Sequence, residues 1–226
     1  MNSRYWARLA LGAVVLFLIL LAALHFIEPE FDPSKRLISE YELGRYGWVM
    51  SLAFFSLGVG VLAMLRSTWA SATTRRGLIG RWWFVVIGIA LFGAGIFYPY
   101  PTPNIASYLH GLCGAIVIAT FPIAATLYRS SLAHSQAWTT SRGRLRWATG
   151  LVWVGLFAFA GSIIVLGILS PPADRANPNL LIGWQNRFMI VTYALWLMVV
   201  AWSVAFSNKG GAESFHRDTG PSSQRA

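Results

Sequence analysis

Apolar residues along this chain fall in unbroken blocks of about 17–24 positions, not at the i, i+3, i+4 spacing of a helix half immersed in water. At ~1.5 Å rise per residue, each block reaches across a hydrocarbon layer ~30 Å thick. Six blocks stand out, near 6–27, 46–65, 82–98, 108–128, 147–169 and 186–206. A helix satisfies its own backbone where no water is present, so the pattern predicts an all-α integral membrane bundle of six transmembrane helices. Residues 1–206 then form one membrane domain, and 207–226, rich in Gly, Ser and charge, read as a disordered cytoplasmic tail.

Composition agrees: among 226 residues, 56% are hydrophobic and 12% charged, outside the usual range of a water-soluble domain. Charge adds direction. Arg4, Arg8, Arg66, Arg75, Arg76, Arg81, Arg129, Arg142, Arg144, Arg146, Lys209, Arg217 and Arg225 fall on one side of the predicted membrane. Only Lys35, Arg36, Arg45, Arg175 and Arg187 fall on the other. The basic excess marks the cytoplasmic side, which places both termini there. The same distribution accounts for the formal charge of +10 through basic loops facing anionic lipid, so membrane lipids are the expected partners and nucleic acid is not. The first span has the basic flank and apolar run of a signal peptide, but it is long and is read as retained.

Chemistry inside the spans is sparse. The single cysteine, Cys113, excludes an intrachain disulfide and reads as a small packing residue. No metal-ligand spacing, nucleophile motif or cofactor fingerprint is present, so no metal and no cofactor are expected. No acidic or basic residue lies near the middle of a span and no internal repeat relates the two halves, which disfavours an ion-driven transporter. Trp48, Trp184, Trp69, Trp82, Trp83 and Trp147 sit at span ends as interfacial anchors. Small residues such as Gly58, Gly60, Gly88, Gly93, Gly95, Gly111, Gly114, Gly155, Gly161 and Gly167 predict close helix contacts. Pro122 should kink the fourth helix and leave the Ile118 carbonyl without its usual donor.

The outer connection between the first two spans carries far more pattern than a plain linker needs. Ser39 and Glu42 have capping-box spacing, which predicts that the second helix begins ahead of the membrane and that Glu42 and Arg45 share a face. His25 closes the first span, His110 opens the fourth, and Gln185, Asn186 and Arg187 open the sixth. His110, Cys113, Gly114 and Val117 share one helix face, so the imidazole stands above a face with little bulk and room for a pocket. Arg187 has Glu40, Glu42 and Asp174 as acidic candidates on its own side, against a bland alternative of snorkelling to headgroups.

The run Glu28-Pro29-Glu30-Phe31-Asp32-Pro33-Ser34, continued by Ile38-Ser39-Glu40-Tyr41-Glu42-Leu43-Gly44-Arg45-Tyr46-Gly47-Trp48, resembles the bacterial membrane family catalogued as domain of unknown function 998. His110-Gly111, and Gly183 followed by Asn186-Arg187, resemble that family's His-Gly at the fourth helix and its Gly-x-x-Gln/Glu-Arg at the sixth. Two positions depart from the family: Tyr98-Pro99-Tyr100-Pro101 stands where an Asp often follows Phe-Pro, and Asn186 where Gln or Glu is usual. The resemblance implies a multi-pass protein of the bacterial cytoplasmic (inner) membrane and marks the outer polar cluster; it implies no activity.

Three functions fit these residues. The leading one is binding of a lipid headgroup or an apolar small molecule through Glu40, Glu42, Arg45, His110, Asn186 and Arg187, with Arg as the fork for an anion. The second is an intramembrane enzyme at the outer leaflet, with His110 as acid or base, Glu42 orienting it and Arg187 stabilising an anion. The third is a b-type haem carrier ligated by His25 and His110.

Overall fold

The structure, a computed structural model, describes residues 2–102, 104–169 and 181–206. It is all-α among the described residues: α1 (Ser3–Ile27), α2 (Gly47–Ser67), α3 (Arg75–Ile96), α4 (Ile105–Leu132), α5 (Arg142–Leu169) and α6 (Gly183–Ala205). All six are long and apolar enough to cross a membrane, and the chain is a multi-pass membrane protein. Each predicted span has its helix, most of them running several residues further at the arginine-bearing ends. Local caps fix several of the helix starts. Asn2 accepts from the amide of Arg4, Thr74 from that of Gly77, and Asn104 forms a reciprocal capping box with Ser107. The tail from 207, and Asp174 and Arg175, lie outside the described residues.

The helices close into a ring, each packed on its chain neighbours and α6 returning to α1. Helix α2 is the most enclosed and α5 the least. Exposed Ile19, Ile89, Phe157, Ile168 and Trp202, with Trp82 and Trp147, make the apolar exterior expected against lipid. Close approach is confined to some of the glycines. A Cβ at Gly95 would lie 2.9 Å from the Ser51 carbonyl oxygen, one at Gly60 2.7 Å from Val14, and one at Gly155 3.0 Å from the Met189 backbone. Gly111, Gly114, Gly161 and Gly167 behave otherwise: a Cβ there meets nothing within 4 Å, so these four are not sites of helix contact. The expectation of close packing fails at them because they lie along the cap-end portions of α4 and α5, and no described residue of α5 beyond Phe159 is buried.

An aromatic cluster fills the bundle centre. Phe121 stacks on Tyr193 at 4.3 Å and Phe84 on Trp196 at 5.2 Å, with Phe84 and Phe121 edge to face. Trp196 Nε1 donates to Thr149, and Tyr193 Oη donates to the Ile118 carbonyl at 2.9 Å. That last bond replaces the donor that Pro122 removes from α4, so the proline's cost is met from α6.

The 28–46 segment folds over one end of the ring as a cap. A short 3₁₀ helix, Ile38–Leu43, lies across it, and Gly44 separates this turn from α2. The predicted Ser39–Glu42 capping box does not form, and α2 begins only at Gly47. Two glycines explain the break: a Cβ at Gly47 would collide with the backbone of Glu42, and one at Gly44 with the carboxylate of Glu28. The chain must turn there and cannot run on as one helix.

Candidate functional site

Arg187 organises the cap. It lies near the start of α6, 4% exposed, and its guanidinium reaches into the 31–46 segment. Nη1 donates to the carbonyls of Arg36 (2.6 Å), Pro33 (3.0 Å) and Gly183 (3.1 Å), Nη2 to Tyr41 Oη (3.1 Å), and Nε to His25 Nε2 (2.9 Å). No carboxylate among the described residues is in contact with it. Arg187 is therefore neither snorkelling nor paired with Glu40 or Glu42; backbone carbonyls of the cap take its charge. Gly183 lets the segment come close, since a Cβ there would strike the carbonyls of Pro33 and Arg36.

His25 completes this clasp. Its Nδ1 donates to the Leu21 carbonyl at 2.7 Å, which makes Nε2 the acceptor for Arg187. Both ring nitrogens are engaged, so neither is left for the iron of the haem reading. The ring also packs against Tyr41 and Trp184.

Glu42 turns the other way, into the bundle. It is 3% exposed; Oε1 accepts from Ser51 Oγ at 3.1 Å, and Oε2 lies 3.4 Å from His110 Nδ1. Burial with no cation beside it lifts its carboxyl to about 8, so it is protonated at neutral pH and its contact with His110 is not an ion pair. His110 Nδ1 faces the carbonyls of Phe97 (2.6 Å) and Ala94 (3.1 Å). Carbonyls only accept, so Nδ1 carries the hydrogen and Nε2 is the acceptor of the ring. Asn186 ties the cap down as well: Oδ1 accepts from the amide of Ile38 at 3.1 Å, and Nδ2 keeps its donors free of protein partners among the described residues.

Between these groups lies a cavity of about 90 Å³, lined by apolar side chains such as Phe54, Leu57, Leu91, Val117, Phe159 and Ile190, with His110, Asn186 and Ser39 as its polar members. Gly114 and Ile118 also line it, so the open helix face expected below His110 is where the cavity is. The aromatic cluster stands one helical turn deeper, at Phe121 and Tyr193.

The structure thus divides the six predicted site residues. His110 and Asn186 line the cavity, Glu42 abuts His110, and Arg187 is in the clasp. Glu40 and Arg45 stay at the rim. Glu40 pairs with Arg36 at 3.3 Å, and burial raises its carboxyl against that pairing. Arg45 is exposed and lies over the Tyr46 ring at 5.5 Å, so the shared face with Glu42 is not formed. Sequence reasoning missed Tyr41, Ser51 and Glu28. Glu28 is fully buried and accepts from the Tyr46 amide, while its other oxygen accepts no hydrogen bond among the described residues; burial raises its carboxyl. The Gly44–Gly47 pair was the available signal for that tight corner.

The arrangement defines a polytopic α-helical membrane protein with a clasped cap over a mostly apolar cavity. The chain belongs to the family described as "protein of unknown function (DUF998)", whose model matches residues 11–203. No curated protein and no solved structure matches the chain.

Proposed function

We propose that the protein binds the polar end of an apolar, uncharged molecule in the capped cavity, in a bacterial cytoplasmic membrane with the cap outside and both termini inside. The observation that carries this reading is the cavity itself: apolar walls with His110, Asn186 and Ser39 as its polar members. Its volume is well below the ~300 Å³ or more of a site that encloses a drug-sized ligand, so only one end of the ligand sits inside. The open glycine faces of α4 and α5 give the remainder a way out towards the lipid. An anionic headgroup fits less well, because the guanidinium of Arg187 already serves five acceptors and is not in the cavity wall.

Native mass spectrometry of protein in mild detergent tests the proposal, with wild type beside His110→Ala and Gly114→Leu. A Cβ at Gly114 meets open space, so the larger side chain extends into the cavity wall without breaking a helix contact. A co-purifying small molecule retained by wild type and lost from both variants is expected. Equal retention in all three refutes the reading. For orientation, Arg45→Cys in a Cys113→Ser background should react with a membrane-impermeant maleimide on intact cells and Arg75→Cys should not; the reverse pattern refutes the topology.

A further inference from the structure

From the two buried polar groups in the cavity wall we infer that the ligand end held there is a neutral hydroxyl, carried by an apolar chain. The inference rests on the binding reading above and specifies its ligand. His110 is 6% exposed and Asn186 4%, yet each has one polar atom with no protein partner among the described residues. In His110 this is Nε2, an acceptor, because Nδ1 donates to Phe97 and Ala94. In Asn186 it is Nδ2, a donor, because Oδ1 accepts from Ile38. The vacant pair is thus one acceptor and one donor across a small apolar space.

A hydroxyl is the smallest ligand end group that answers both, donating to Nε2 and accepting from Nδ2 in the place a single water would otherwise take. An ether, ester or ketone only accepts and leaves Nε2 without a partner in an apolar wall. A carboxylate or phosphate also only accepts when ionised, and no lining residue carries a positive charge. An ammonium group only donates, and no lining residue is acidic. Lipid membranes supply neutral hydroxyls from three sources with this shared chemistry: linear long-chain alcohols, isoprenoid alcohols and diacylglycerols.

The test is displacement of tritiated dodecan-1-ol from the full-length protein in nanodiscs. Competitors are dodecan-1-ol, its methyl ether, dodecane, dodecanoate, dodecyl phosphate, farnesol and dioctanoylglycerol. The expected result is saturable binding, lost in Gly114→Leu, with the alcohol competing roughly 10- to 100-fold better than its methyl ether, as one unmade buried hydrogen bond requires. In His110→Ala the alcohol and ether should become equal. The tightest of the three hydroxyl classes then identifies the source. If alcohol, ether and dodecane compete equally and all binding is lost in Gly114→Leu, the hydroxyl inference is overturned while the apolar cavity stands. If dodecanoate or dodecyl phosphate binds tightest, both the hydroxyl and the uncharged ligand are overturned. No saturable binding, or binding unaffected by Gly114→Leu, overturns the cavity reading and the inference with it.

Discussion

Replacing Arg187 by Met keeps a long unbranched side chain but removes every hydrogen bond that the guanidinium makes to the cap and its neighbours. Five acceptors lose their partner: the carbonyls of Pro33, Arg36 and Gly183, Tyr41 Oη and His25 Nε2. A hydrogen bond to a charged donor contributes ~1.5–3 kcal/mol, but five on one group do not add, because the cap can lift and rehydrate its carbonyls. The partners left behind are neutral and no buried charge is stranded, so the loss is bounded more sensibly by about two such bonds, ~3–6 kcal/mol. At ~1.4 kcal/mol per factor of ten, that is an opening equilibrium shifted by roughly 10²- to 10⁴-fold. Hydrogen exchange followed by mass spectrometry reads it directly on the amides of Ile38, Glu40 and Gly44, which bond to Asn186, Leu37 and Tyr41 in the closed cap. Amides in the centre of α2 should be unchanged. Arg187→Lys should fall between, since an ammonium can meet two or three of the acceptors but cannot reproduce the fork. If protection across 36–44 in Arg187→Met equals that of wild type, the clasp is not what holds the cap and the reasoning fails.

Stability should also depend on pH through Glu42. Its folded carboxyl stands at about 8 against an ordinary 4.5, so the folded state binds the extra proton between those values. This contribution is full below 4.5 and is lost as pH rises to 8. Glu28 and Glu40 are raised too and act in the same direction, so the measurement is the difference between wild type and Glu42→Gln in thermal unfolding across that window. The variant should have the flatter profile; parallel profiles refute it. The two kinds of glycine should separate cleanly. Gly183→Ala, whose Cβ strikes two cap carbonyls, should cost about 1–3 kcal/mol, whereas Gly161→Ala should be neutral or gain up to ~1 kcal/mol from helix propensity. Denaturant or thermal unfolding in detergent distinguishes them, and equal effects would count against the packing described. Tyr193→Phe leaves the Ile118 carbonyl unpaired beside Pro122 and should lower stability by ~1–3 kcal/mol in the same assay; no loss would mean that α4 does not depend on α6 there.

The six helices were legible because a span of fixed length has only one way to satisfy its backbone in lipid, and apolar blocks record that length plainly. The space below His110 was legible for a related reason: Gly114 and Val117 follow it on one face, and the absence of bulk on a face is written in side chains. Arg187 was not. Pairing it with Glu40 or Glu42 matched opposite charges, but three of its five acceptors are main-chain carbonyls, which every residue has and no residue letter announces. The capping box misled for a similar reason. Ser39 and Glu42 have the right spacing, yet Gly44 and Gly47 turn the chain between them and the helix, and Glu42 is drawn inward to Ser51 and His110. Glu28 gave no warning of burial because nothing in the sequence shows that the corner at Gly44 folds back on it.

The clasp joins parts of the chain made far apart in time. Tyr41 and His25 are synthesised well before Arg187, which lies 146 and 162 positions later. While five helices are in place, the cap carbonyls have only water for company. Helix α6 carries the group that closes the lid, so a chain arrested before it should expose 31–46 to protease and a chain that includes it should protect that segment. Arg187 thereby ties the closing of the cap to the arrival of α6: until that helix has entered the bundle, the carbonyls of Pro33 and Arg36 lack the group that holds them.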